Sequence, residues 1–161
     1  MQETKYEFSY QVYQNIDDLN KEDQGLLKEA REKTKNAYAP YSNFLVCAVA
    51  KLNNGEIVTG TNQENASYPA GLCAERVLMS TASSLFPNIP IQTMAISYQN
   101  INGKSDHPIS PCGICRQSLQ EFAERTKQSI RIILSGQEGQ VLIIENASNL
   151  LPFAFSSHEL I

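Results

Sequence analysis

No apolar run in this 161-residue chain approaches the roughly 18 residues needed to cross a bilayer, so the sequence offers no membrane span. Positive charge is in deficit. Thirteen Lys and Arg stand against 17 Asp and Glu, the formal net charge is −4, and the basic residues are scattered rather than striped. That excludes the electrostatic footprint of a protein that tracks a polyphosphate backbone and suits a small or neutral substrate. Residues 1–6 lack the positive start and apolar core of a signal peptide, so the expectation is a cytoplasmic protein. Histidine is scarce, and neither His107 nor His158 sits in a ligand motif. There is no internal repeat, linker or low-complexity segment. With 42% hydrophobic residues, the chain reads as one compact domain over 1–161, in which residues 1–15 form an N-terminal extension.

Apolar periodicity sets the expected elements. Tyr6, Phe8, Tyr10 and Val12 alternate with polar residues, the period of a half-buried strand added at the N-terminus. Asn20 is a suitable N-cap for a helix carrying Leu26, Leu27, Ala30, Ala37 and Tyr38 on its inner face, with charged residues opposite and Pro40 as its stop. Residues 44–52 and 57–61 predict a hairpin turned at Asn54-Gly55. An irregular stretch over 62–72 leads to a helix over 73–86 and a strand over 93–98. A polar loop then leads to a third helix opening at Pro111 and running to about Thr126. Strands over 130–134 and 141–145 follow, flanking a Gly136 to Gly139 turn. Alternating strands and helices in this order imply a mixed sheet covered by helices, an α/β architecture.

Chemistry concentrates in two short segments, Cys73-Ala74-Glu75-Arg76 and Pro111-Cys112-Gly113-Ile114-Cys115. In a reducing compartment a Cys-x-x-Cys is first a metal or redox element. Cys112 and Cys115 in the first turn of a helix project from one face and can share an ion. Cys73 and Glu75 are about 200° apart on a regular helix, so they converge only if Cys73 lies at an irregular helix start. Helix N-termini favour thiolates and stabilise a cluster with excess negative charge. Three thiolates on one zinc leave a fourth position open, which distinguishes a catalytic from a structural site. A Glu two residues after the first ligand and a later Pro-Cys-x-x-Cys form the zinc deaminase signature. Glu75 is then the group that takes a proton from water and delivers it to the substrate. Three thiolates weaken the metal's pull on water, and Arg76 and Arg116 are the cations expected to offset this by hydrogen-bonding the sulfurs. A structural or redox site is the alternative reading of the cysteine spacing. A structural zinc site needs a fourth ligand, for which Cys47, His107 and His158 are the candidates by residue type. Cys47, inside an apolar run, reads as a buried, inert thiol.

Further segments carry a resemblance. Ala37-Tyr38-Ala39-Pro40-Tyr41-Ser42-Asn43-Phe44, Asn62-Gln63-Glu64-Asn65-Ala66-Ser67-Tyr68 and Leu150-Leu151-Pro152, together with the cysteine motifs, resemble the small homotetrameric cytidine deaminases over roughly residues 19–160. The resemblance implies a three-layer α/β/α fold around a mixed five-stranded sheet, to which the N-terminal strand adds. It implies one zinc per subunit held by Cys73, Cys112 and Cys115, with Glu75 as proton shuttle. It further implies that Asn62 and Glu64 hold the ribose 3′-hydroxyl, that Phe44 packs on the pyrimidine, and that the Ala74 N–H meets the base carbonyl. Tyr68 and Phe155 resemble residues given to a neighbouring subunit's pocket, although Phe153 stands close enough in the tail to compete with Phe155. The implied reaction is hydrolytic deamination of cytidine and 2′-deoxycytidine in pyrimidine salvage, with a free nucleoside as partner and neither nucleic acid nor membrane. Cys47 stands where the family usually has glycine. A blasticidin S-type antibiotic deaminase, a polynucleotide editor and a noncatalytic zinc module remain the alternatives.

Overall fold

A computed structural model of the chain describes residues 1–160. The elements, in order, are β1 (Gln11–Tyr13), α1 (Lys21–Lys33), β2 (Phe44–Leu52), β3 (Ile57–Thr61), α2 (Ala74–Leu85), β4 (Ile91–Asn100), α3 (Gly113–Thr126), β5 (Arg131–Ser135) and β6 (Val141–Ile144). They form a six-stranded sheet in the order β1-β6-β5-β4-β2-β3. Only β4 and β5 run parallel, and α3 makes the crossover between them, as a parallel connection requires. The sheet is therefore the expected five strands plus the N-terminal addition.

Alternation along β2 sorts its side chains to two cores. Cys47 and Val49 meet Leu26, Leu27 and Ala30 of α1 on one face. Ala48 and Ala50 meet Leu78 and Ala82 of α2 and Leu119 and Phe122 of α3 on the other. This gives three layers, with α2 and α3 on the same face. Both helices start near one another there, and their N-termini carry the cysteine motifs.

Several elements end differently from the expectation. α1 is capped by Asn20, whose side chain accepts from the Asp23 N–H at 2.9 Å, but it stops at Lys33 and tightens into a 3₁₀ turn over Thr34–Asn36. Ala37 and Tyr38 leave the helix because the Tyr38 backbone pairs with the 62–64 segment: its N–H donates to Asn62 and its carbonyl accepts from Glu64. The N-terminal strand is only three residues long, Gln11 to Tyr13 paired with Ile143 to Val141 of β6. Tyr6, Phe8 and Tyr10 keep their alternation but stay exposed. β4 is longer than its apolar core, being paired with β2 from Ile91 to Asn100. Pro111 lies ahead of the α3 cap rather than in its first turn. Asp23, on the charged side of α1, is buried and forms a two-pronged pair with Arg131 of β5 at 2.7 and 2.8 Å.

Candidate active site

Cys73 and Cys112 occupy equivalent positions, each the N-cap of its helix with extended backbone (φ −73°, ψ 153° and φ −66°, ψ 169°). Neither thiol caps a backbone N–H, so both sulfurs are free to act as ligands. The extended conformation at Cys73 is the irregular helix start that the two-residue spacing to Glu75 demands. Cys73 Sγ lies 3.6 Å from Cys112 Sγ, which lies 3.5 Å from Cys115 Sγ. Tetrahedral zinc with Zn–S bonds of about 2.3 Å sets its sulfurs about 3.8 Å apart, so the donor set fits this ion in type and spacing.

Electrostatics agree with that reading. Hydrogen bonding from the Cys115 and Cys112 thiols, helped by the charge of Arg76, lowers the Cys73 pKa to about 6. Cys115 is pushed up by donating to Cys73, by burial, and by the charges of Glu75 and Cys73. Three thiolates this close repel one another, and a dication held by Cys73, Cys112 and Cys115 would offset that repulsion. Glu75, in the first turn of α2, is only 5% exposed. Burial, reinforced by the nearby Cys73 charge, raises its pKa above the ordinary carboxylate range.

Cys73, Cys112 and Glu75 open onto a cavity of about 570 Å³, within the range of small-molecule sites. Asn62, Glu64, Tyr68, Cys73, Ala74, Glu75 and Cys112 all line it. The Asn62 side chain is pinned to β2: its oxygen accepts from the Val46 N–H at 2.7 Å and its nitrogen donates to the Phe44 carbonyl at 2.9 Å. One amide N–H is left over. Glu64 Oε2 accepts from the N–H groups of Tyr41 and Ser42 at 2.9 and 3.3 Å. With the Ser42 hydroxyl foremost, these donors hold its carboxyl below the ordinary range. Ala74, at the first turn of α2, is fully buried.

A family model for the cytidine and deoxycytidylate deaminase zinc-binding region matches residues 20–130. The chain belongs to this family. It is 33% identical to the cytidine deaminase of Halalkalibacterium halodurans over 137 residues, covering 85% of this chain and 96% of that protein. It is 31% identical to the cytidine deaminase of Sporosarcina psychrophila, covering 84% of this chain and 92% of that one. The crystal structure of cytidine deaminase from Burkholderia pseudomallei superposes with a TM-score of 0.71 at 35% identity, over 81% of this chain and 97% of that one. Zinc is the ion that both the donor set and the family fit.

Other residues singled out in this deaminase-family chain lie elsewhere. The Phe44 ring is not part of the cavity lining; it stacks on Tyr98 with centroids 4.9 Å apart. Arg116 does not bond a sulfur. Its guanidinium donates to the carbonyls of Pro111 and Leu150 at 2.9 and 3.0 Å, tying the entry to α3 to the chain after β6. Arg76 acts on Cys73 through its charge. Phe153 and Phe155 are both exposed at the surface, away from the cavity lining. Among the described residues the sulfur cluster has no fourth Cys or His: Cys47 is buried in the other core with its thiol pushed up to about 12, and His107 packs on Tyr98. Sequence reasoning had no signal for Val46, Ile109 and Ser110 as cavity walls. It also missed Gly60, the contact point between β3 and α2.

Proposed function

We propose that the protein hydrolyses cytidine and 2′-deoxycytidine to uridine and 2′-deoxyuridine with release of ammonia, a step of pyrimidine nucleoside salvage. The observation that carries this is the convergence of three cysteine sulfurs and a buried carboxyl at one end of a nucleoside-sized cavity, in a chain whose relatives are named cytidine deaminases. Cys73, Cys112 and Cys115 are the ligands, and zinc bound there supplies Lewis-acid activation of water near neutral pH.

Glu75 does the proton work. Its raised pKa brings it closer to neutrality, where one carboxylate serves as base and then as acid. It takes a proton from the water that attacks C4 and gives it to N3. It then moves the second water proton to N4, so that the C4–N4 bond breaks, ammonia leaves and C4 becomes a carbonyl. One water is consumed and one ammonia formed, with no redox change. The Ala74 N–H, at the start of α2, donates to the base carbonyl.

Asn62 and Glu64 divide the recognition of the ribose 3′-hydroxyl. The remaining Asn62 N–H donates to the hydroxyl oxygen, and the free Glu64 Oε1 accepts its proton. An ionised Glu64 repels a phosphate at that position, which favours free nucleosides over polynucleotides. The 2′ position is left without a demand. Tyr68, 76% exposed at the cavity, and the exposed tail aromatics are in keeping with a homotetramer of shared sites, and a cytoplasmic location belongs to the same proposal. Phe44 reaches the pyrimidine only if its ring turns from Tyr98.

An ultraviolet assay with cytidine, deoxycytidine and a cytosine-containing oligonucleotide, with and without chelator, tests this. Chelator-sensitive turnover of both nucleosides and none of the oligonucleotide supports it. Metal binding without spectral change on cytidine, or turnover of blasticidin S alone, overturns it.

A further inference from the structure

Tyr98 is 1% exposed and takes no part in the proposed chemistry, yet its neighbours include one residue that lines the cavity and one on the loop that leads to it. Across the β2–β4 ladder its partner is Val46, a cavity-lining residue. One ring face stacks on Phe44 at an interplanar angle of 15°. His107 meets the ring edge-on at 5.8 Å, and the Tyr98 hydroxyl lies 3.3 Å from its Nδ1 and 3.5 Å from its Nε2. His107 Nδ1 is in turn 3.1 Å from Asp106 Oδ1.

His107 belongs to the long connection between β4 and α3, which has little apolar content of its own to hold it in place. The opposite side of this loop rests on the 136–139 turn. A Cβ at Gly136 would stand 2.1 Å from the Ser105 carbonyl oxygen, and one at Gly139 would stand 2.2 Å from that of Asp106. The loop is therefore held between that turn and the Tyr98 hydroxyl. Two residues after His107 come Ile109 and Ser110, which line the cavity, and Pro111 then leads into Cys112.

We propose that Tyr98 is a positioning residue for substrate fit: bonded to His107, and stacked on Phe44 in the unliganded fold, it fixes the Ile109–Ser110 wall of the cavity without touching the nucleoside. The proposal rests on the deaminase reading for its kinetic consequence and on the unliganded fold for its mechanical one. Glu75 and Cys115 sit within α2 and α3, and Cys112, which follows Pro111, is fixed as the N-cap of α3, so the chemical step is spared.

The test uses Tyr98→Phe, which keeps the stacked ring and removes only the hydroxyl, together with His107→Ala and the double variant. Expected is a KM for cytidine raised about threefold to tenfold, the worth of a hydrogen bond, with kcat within about twofold of wild type and zinc content unchanged. The double variant should be no worse than Tyr98→Phe alone, which already removes the hydroxyl's contacts with both the ring and the backbone of His107. Amide hydrogen exchange over residues 105–112, measured without substrate, should accelerate in all three, and to the same extent in Tyr98→Phe and the double variant. Unchanged exchange and KM in Tyr98→Phe, or additive effects in the double variant, overturns the proposal. If wild type fails to turn over cytidine, the deaminase reading falls, while the exchange data still decide whether Tyr98 holds the loop.

Discussion

Gly60 on β3 and Leu78 on α2 approach so closely that a Cβ at Gly60 would stand 2.3 Å from the Leu78 amide nitrogen and 2.4 Å from the Ala74 carbonyl oxygen. Both atoms are backbone, so neither can swing aside. The helix that presents Cys73 and Glu75 is thus seated directly on a strand that has no side chain there.

Gly60→Ala should push α2 away from the sheet and pull Cys73 from the other two sulfurs. A small overpacking of this kind typically costs about 1 to 3 kcal/mol. The expected result is a lowered melting temperature together with reduced zinc content after purification. A variant that keeps full zinc and wild-type melting would show that α2 can shift without moving the site.

Zinc affinity should fall steeply with acidity. Thiols bind metal as thiolates, so protons compete with the ion. Above about 6, Cys73 is already ionised, and protonation of this ligand sets in as the pH falls through that value. Cys115, pushed up, must give up its proton to the medium when the metal binds. Competition titrations from pH 8 to pH 5 should therefore show proton release on zinc addition and a weakening that sharpens below about 6. Cys112→Ala should lose the metal outright. A flat pH profile, or full zinc occupancy in that variant, contradicts the ligand assignment.

Much of this molecule was legible from its sequence, for identifiable reasons. The β2–β3 hairpin is written in an apolar run that turns at Asn54-Gly55, and α1 begins at the side-chain cap that Asn20 announces. The sulfur cluster was legible in the Cys73-Ala74-Glu75 and Pro111-Cys112-Gly113-Ile114-Cys115 signature, with which helix-start geometry agrees. What stayed hidden depends on contacts between distant segments. Nothing local distinguishes Gly60 from any strand glycine, and its meaning comes from a helix fourteen to eighteen residues away. The end of α1 was overread because Ala37 and Tyr38 continue the apolar period, while their backbone is claimed by the 62–64 segment. Arg116 looked like a sulfur donor from its place beside Cys115, but two carbonyls satisfy it instead.

The Asp23–Arg131 pair locks the start of α1 to β5, and its loss should be a matter of stability alone. Removing one partner of a fully buried pair costs about 3 to 5 kcal/mol, but Arg131 also has Glu145 at 3.3 Å and is partly exposed, so about 2 kcal/mol is expected for Asp23→Ala. Denaturant unfolding should register this, with cytidine turnover at low temperature near wild type. A change below about 0.5 kcal/mol would place the pair among surface ion pairs of little consequence.

Glu64→Gln should separate recognition from chemistry. The hydroxyl loses its charged acceptor, which is worth about tenfold to a hundredfold in kcat/KM for cytidine. Turnover of 3′-deoxycytidine, which has no hydroxyl to offer, should hardly change. Equal losses on both substrates would contradict the assigned contact.

The most direct measurement is bound zinc and cytidine turnover determined on the same preparation of Glu75→Gln. With the shuttle removed and the three sulfurs intact, the variant should hold one zinc per chain while its turnover falls by about 10² to 10⁴ or more. Turnover near wild type, or a loss of activity matched by a loss of metal, would contradict the role of Glu75 as the proton shuttle.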